Sequence, residues 1–273
     1  MATPDLYSEL LKDFRFREGL KACINCGTCT AICPAAEFYR YDPRKIVDTV
    51  QRADNDEIEA LLKSETIWYC GECMSCMTRC PRGNAPGKVI MALRNLSIKL
   101  GYFTESERGR QVYPLTEALN RNILKYGYCI YPDTFVFEEH PESGPVWKWH
   151  LEHKEASYAR MGANYKGKGP GALRDIAPED LSELKAIFDV SGGTERMELV
   201  EELSRKKAEE MGMSMEEYRK FTFEHCSDVH FNSKAEDMPK AEIAEEELSE
   251  EEKAALADKI EENIDLFLAG EIS

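Results

Sequence analysis

The sequence lacks an apolar run of about 18 residues, the minimum for a membrane span, and its mean hydropathy is −0.50. Its beginning, MATPDLYSELLKDFRF, has neither a basic segment nor an apolar one, so no secretory leader is expected. A cytoplasmic setting follows, in which thiols stay reduced and clustered cysteines serve metals or redox chemistry rather than disulfides. Positive charge is also scarce: 35 Lys and Arg stand against 51 Asp and Glu, a net charge of −16. That excludes the basic footprint of a nucleic-acid binder. Much of the acidity lies between Glu236 and Glu271, where fourteen acids face three lysines, and it reads as a solvated surface.

Several catalytic signatures are missing too. There is no GxGxxG for a nicotinamide or flavin. The loop GNAPGKV (83–89) has one residue too few between its glycines, and Val89 stands where a phosphate loop needs Ser or Thr. It reads instead as a loop before a helix N-terminus. His150 with His153, and His225-Cys226 with His230, each fall short of a metal-ligand set. Cys129 and Cys226, the only spare thiols, lie far apart in sequence, and Cys226 reads as a small buried apolar residue rather than a nucleophile. Nothing here points to bond-making chemistry on this chain.

What is abundant is cysteine in one pattern. CINCGTCTAICP (23–34) and CGECMSCMTRCP (70–81) both read C-x₂-C-x₂-C-x₃-C-P and hold eight of the ten cysteines. Local disulfides suit neither the spacing nor a reducing compartment. Zinc commonly takes two separate C-x₂₋₄-C knuckles, which this is not. The run is that of bacterial two-cluster ferredoxins, where three thiolates of a motif hold one [4Fe–4S] cube and the fourth serves the other cube. On that pattern Cys23, Cys26, Cys29 and Cys80 hold cluster one, and Cys70, Cys73, Cys76 and Cys33 hold cluster two. Gly27 and Gly71 are expected to let backbone approach the metal. Two clusters tied by crossed ligation favour electron transfer over a purely structural role.

The surrounding pattern is helical. Thr3-Pro4-Asp5 reads as a cap-and-proline start for a helix over 4–16, with Leu6, Leu10 and Phe14 on its buried face. Asp42-Pro43 repeats the signal before RKIVDTVQRA, DEIEALLK follows, and Pro86 opens a helix that Gly101 ends. Residues 111–153, rich in Tyr, Trp and Phe, read as irregular or partly extended, and 162–171 as a linker or exposed loop. PEDLSELKAIF, TERMELVEELSRKKAEEMG and MEEYRKF behind the Ser214…Glu217 capping box read as helices. So does an amphipathic tail over 250–268 behind Ser249…Glu252. Three regions are expected: 1–105, 106–171 and 172–273. The aromatic segment 126–149 and the tail helix are the candidate interfaces. Equally, the aromatics have a place as a cover over the cysteine module.

Residues 20–101 resemble the C-subunit family of heterodisulfide reductase. The likeness is carried by CINCGTCTAICPAAEF, DPRKIV, IWYCGECMSCMTRCPRG and VIMALRNLSIKLG. For 102–273 there is a likeness to longer C-subunit homologues of the related complexes in sulfur-oxidising bacteria. The resemblance implies a mainly α protein: an α-helical ferredoxin domain with two [4Fe–4S] clusters and a largely helical C-terminal extension. It implies a non-catalytic relay subunit in a hetero-oligomer, between a flavoprotein A subunit and a B subunit with cysteine-rich CCG domains. This chain has no adjacent cysteine pair, so it is not expected to cleave the disulfide itself. Two other readings stay open. One is an iron–sulfur subunit of a quinone-linked respiratory dehydrogenase, although the 22 residues before Cys23 leave no room for a plant-type [2Fe–2S] domain. The other is a protein whose clusters are structural or sensory, or feed a site in 102–273.

Overall fold

The computed structural model describes residues 5–136 and 144–222, which are helical with no strand among them. Those of 1–120 and 187–222 form one compact unit, and those of 121–186 a second.

The first unit begins with α1 (Leu6–Lys12) and α2 (Phe14–Gly19), two helices where the sequence suggests one. Asp5, not Thr3, caps α1, its carboxylate accepting from the Ser8 amide. Asp13 is extended, and its carboxylate accepts from the Arg15 amide, starting α2 afresh. This break resets the helical phase. Leu6 and Leu10 are buried as expected, but Phe16 enters the core in place of Phe14, which is 59% exposed.

Short helices α3 (Thr28–Ala31) and α4 (Ala35–Phe38) follow the first cysteine motif. Then come α5 (Pro43–Gln51), capped by Asp42 with proline at N1, and α6 (Asn55–Lys63), capped by Asp54. A 3₁₀ turn (Thr66–Tyr69) leads into the second motif and α7 (Ser75–Arg79). The axis of the unit is α8 (Pro86–Leu100), which buries Val89, Ile90, Ala92, Leu93 and Leu96 against α1, α2, α5 and α6. Each large aliphatic side chain among them contributes about 1.5–3 kcal/mol on burial. Cys23, Cys33 and Cys70 pack on this same cluster, so the core is the shelf that carries the motifs.

After α9 (Glu107–Arg110), α10 (Val112–Tyr126) carries the chain from the first unit into the second. Where an irregular segment is expected, α10, α11 (Gly144–Glu152) and α12 (Lys154–Arg160) are helical, while residues 127–136 between them hold only a 3₁₀ turn at Pro132–Thr134 and are irregular as expected. Pro114 disguises α10, but it lies in the first turn, where its missing N–H breaks no bond. In α11, i,i+3 and i,i+4 stacking holds Trp147 on His150 and Trp149 on His153. The rings of the second unit stack among themselves, as in Tyr126 on Tyr131 with centroids 4.0 Å apart.

α13 (Pro178–Ser191), α14 (Gly193–Glu210) and α15 (Met215–Thr222) stand where the sequence suggests. The Ser214–Glu217 capping box is formed in both directions. Val200, Ala208 and Tyr218 from these helices join Ile98, Phe103 and Tyr113 in a second buried cluster of the first unit. The tail helix at 250–268, together with His225, Cys226 and His230, lies outside the described residues. No described helix is long and apolar enough to cross a membrane.

Candidate functional site

The two cysteine motifs have the same local backbone, built from unlike residues. Two residues after the first cysteine, Asn25 and Glu72 have φ of 60° and 54°. Their amides donate to Cys23 Sγ and Cys70 Sγ, both at 3.4 Å. Two residues further on, Gly27 and Met74 are again left-handed, at 82° and 59°, and each starts the short helix that carries the third cysteine. Cys26 Sγ lies 3.4 Å from Thr28 Oγ1, and Cys73 Sγ lies 3.4 Å from Ser75 Oγ. Gly27 thus fills a position that favours glycine. Gly71 does not: its φ is not positive, and a Cβ there would meet nothing within 4 Å. The left-handed turns fall on Asn25, Glu72 and Met74, which glycine counting misses.

The fold gathers the eight thiols into two sets. Cys23, Cys26, Cys29 and Cys80 line one cavity, together with Ile24, Arg44 and Asn84. Cys33, Cys70, Cys73 and Cys76 line a second, together with Tyr41, Tyr69 and Met74. In each set three thiols come from one motif and the fourth from the other. No group of three or more His, Cys, Asp or Glu among the described residues is close enough to share a single metal ion. Each set of four thiols matches the donor set of a [4Fe–4S] cluster.

α8 meets both cavities end-on. Pro86 lines the first, while Gly87 and Ile90 line the second. GNAPGKV is thus a loop into a helix, and the positive end of that helix favours the negative charge of thiolates and cluster sulfides. At Gly87 a Cβ would come within 2.9 Å of Met74 Sδ and 3.9 Å of Cys76 Sγ, so any side chain there would push the flexible Met74 side chain aside.

Clamps behind each motif fix its first cysteine. At the end of α5, Gln51 Oε1 accepts from the Cys23 amide at 3.1 Å, and its Nε2 donates to the Cys23 carbonyl at 3.3 Å. From α8, Arg94 donates to the carbonyls of Ile67 (2.7 Å) and Cys70 (2.6 Å), pairs with Glu72 at 2.8 Å and lies over the Trp68 ring. Tyr69 stacks on Tyr39 at 4.6 Å and meets Tyr41 edge-on, forming an aromatic wall beside the second set.

Burial pushes the Cys29 thiol up to about 11, and raises Cys33 and Cys76 as well. The Gly87 amide works against burial at Cys76, as do the Ala36 and Ala35 amides at Cys33. The exposed Cys26 and Cys73 are lowered by Thr28 and Ser75. Iron, when bound to these sulfurs, would hold them as thiolates, because the cation overrides the local environment. The remaining candidates take other places. His150 Nδ1 lies 3.0 Å from Ser157 Oγ, with its ring on Trp147, and His153 stacks on Trp149, so both are packed among aromatics. Cys129 is exposed, and its carbonyl accepts from Asn122 Nδ2.

The comparisons with known proteins converge on the same segment. Residues 19–84 match the 4Fe-4S dicluster domain family. The chain is 48% identical over 94 residues to the C subunit of a ferredoxin:CoB-CoM heterodisulfide reductase of Methanosarcina acetivorans, covering 32% of this chain and 36% of that protein. It is 37% identical over 111 residues to the iron-sulfur C subunit of the CoB–CoM heterodisulfide reductase of Methanopyrus kandleri, covering 38% and 56%. With a second iron-sulfur C subunit of this kind, from Methanocaldococcus jannaschii, the identity is 31% over 121 residues, covering 44% and 58%. The chain thus spans between 36% and 58% of the length of these relatives. The iron–sulfur region of this chain is a 4Fe-4S dicluster domain similar to that of heterodisulfide reductase C subunits, and its cofactors are two [4Fe–4S] clusters.

Proposed function

We propose that this chain is the electron-relay subunit of a heterodisulfide reductase-like complex. It passes electrons through two clusters between a flavoprotein subunit and a CCG-domain subunit that carries out the disulfide or sulfur chemistry. Cys23, Cys26, Cys29 and Cys80 hold one cluster, and Cys70, Cys73, Cys76 and Cys33 the other. The observation that carries the reading is the crossed pair of four-thiol cavities meeting at Pro86-Gly87. Crossing ties the two clusters together and holds them close, which a wire requires and a lone structural cluster does not.

Each cluster supplies one-electron storage; the chain supplies the rest. The core shelf and the clamps Gln51 and Arg94 keep the first cysteines fixed, so little rearrangement accompanies a change of charge. Amides of the motif turns and the α8 N-terminus stabilise the added negative charge. The kinship with heterodisulfide reductase C subunits supports the place in a complex.

Oxygen-free affinity purification from the native host, with co-purifying proteins identified, tests the reading. A flavoprotein together with a CCG-domain subunit is the expected result. A quinone-linked membrane partner would move the chain to a respiratory dehydrogenase. Recovery of the chain alone, with its clusters, would end the relay-subunit reading.

A further inference from the structure

Two buried polar groups beside the thiols have no protein partner, one for each cavity. The Asn84 side chain is 2% exposed and lines the first cavity. Its Oδ1 accepts from the Lys21 amide at 2.5 Å, which fixes the orientation of the carboxamide. The amide N–H of the same residue donates to Cys80 Sγ at 3.3 Å, yet Asn84 Nδ2 is buried without a hydrogen bond. Tyr41 is 4% exposed and lines the second cavity. Its ring is held edge-on by Tyr69, and its buried hydroxyl makes no protein hydrogen bond of ordinary geometry; Cys70 is the thiol beside it. A buried donor left unpaired costs about 1–3 kcal/mol, so native structures rarely tolerate one. Among the described residues eight buried side-chain polar atoms lack a hydrogen-bond partner, and Asn84 Nδ2 and Tyr41 Oη are the two whose residues line the sets of four thiols.

We propose that Asn84 Nδ2–H and Tyr41 O–H donate hydrogen bonds to the sulfurs of cluster one and cluster two respectively, and so set the two potentials separately. Each is a positioning residue for charge, not a ligand. A donor aimed at a cluster sulfur stabilises the more negative, reduced state more than the oxidised one, so it raises that cluster's potential. The donors differ in kind: a neutral carboxamide anchored by backbone at one cluster, and a phenol inside an aromatic wall at the other. The paired motifs alone would make the clusters near-equivalent, and these two residues separate them.

The inference rests on the cluster reading above. Its test is a redox titration of the full chain, purified without oxygen with its clusters and followed by electron paramagnetic resonance. Tyr41→Phe keeps the ring and removes only the hydroxyl. It is expected to move one of the two one-electron steps to lower potential by about tenfold in the oxidised-to-reduced ratio, about 59 mV, and to leave the other in place. Asn84→Ala is expected to move the other step. If that variant does not retain its iron, Asn84→Asp keeps the acceptor for Lys21 while replacing the donor with a carboxylate oxygen, and should lower the same step further. Unmoved potentials in fully iron-loaded variants, or both variants moving the same step, would overturn the inference and leave the cluster reading intact. A wild-type chain without the iron for two clusters would overturn the cluster reading itself.

Discussion

The two cysteine motifs repeat each other in backbone and differ in almost everything behind it. Both place left-handed residues at the same two positions and turn an amide onto the first sulfur. Behind the first motif stand a carboxamide clamp, Gln51, and a second carboxamide, Asn84, whose Oδ1 accepts from the Lys21 amide. Behind the second stand a guanidinium clamp, Arg94, and a wall of tyrosines. The shared part is what wrapping a cluster demands. The unlike part sets how firmly each loop is held and how polar its surroundings are. The lesson is that symmetry at the ligands does not make the two sites equivalent.

The most disruptive test exchanges the fourth ligands. Cys80→Ser lies in the second motif, yet crossed ligation predicts loss of the cluster bound mostly by the first. Cys33→Ser should remove the other. Each variant is expected to keep half of the iron, and their surviving paramagnetic signals should differ. Cys80→Ser should leave the same signal as Cys26→Ser; leaving instead the signal of Cys73→Ser would mean that each motif keeps its own fourth cysteine, and the crossing would be wrong.

Next in size are the clamps. Arg94→Ala frees the 67–72 loop from a charged donor making several bonds, and should cost about 3 kcal/mol in denaturant unfolding. Gln51→Ala removes two neutral bonds and should cost about 1 kcal/mol. Release of iron to a chelator should quicken for cluster two in the first variant and for cluster one in the second. Equal effects of the two substitutions would erase the distinction drawn here.

Gly87→Ala asks whether the close approach of α8 matters to one side only. The added methyl presses on the flexible Met74 side chain, so a cost of about 1 kcal/mol is expected, with faster loss of cluster two alone. The smallest effect should come from outside both motifs. Asp133, in the second unit, has its carboxyl held well below the ordinary value of 3.8. Burial opposes this, but hydrogen bonds from Lys154, Lys166 and Tyr165 outweigh it. Its folded pKa is depressed, so its contribution is complete above the ordinary carboxyl value and is lost as pH falls below it towards the folded one. Asp133→Asn should cost at most about 1 kcal/mol near neutral pH, reduce the acid dependence of unfolding, and leave iron release unchanged.

Much of the fold is legible in the sequence because its signals are local. Asp42-Pro43, Pro86 with Gly101 and the Ser214–Glu217 box each satisfy helix ends within a few residues, and those helices stand where they are expected. The departures share one cause, a local signal outweighed by its context. Asp13 interrupts an otherwise continuous apolar pattern, so the sequence suggests one helix, while in the fold Phe16 rather than Phe14 reaches the core. In the 111–153 stretch Pro114 and the aromatics hide helical spacing. Composition points to glycines at the motifs, whereas the left-handed turns also fall on Asn25, Glu72 and Met74.

By itself the sequence determined the cofactor class, since C-x₂-C-x₂-C-x₃-C-P written twice encodes the ligands and their wrapping within each loop. It also determined the helical ground plan, through caps and periodicity. The motif pattern anticipated the two crossed sets of thiols; only tertiary structure decided that α8 begins between them, and that Gln51, Arg94, Asn84 and Tyr41 stand behind them. The physical reason is range. Turns and caps are closed by residues a few positions apart, whereas the clamps span 24 to 28 residues and the Asn84 contact to Lys21 spans 63. Such partners are chosen by the packing of α8 against the other helices, and no short stretch of sequence records them.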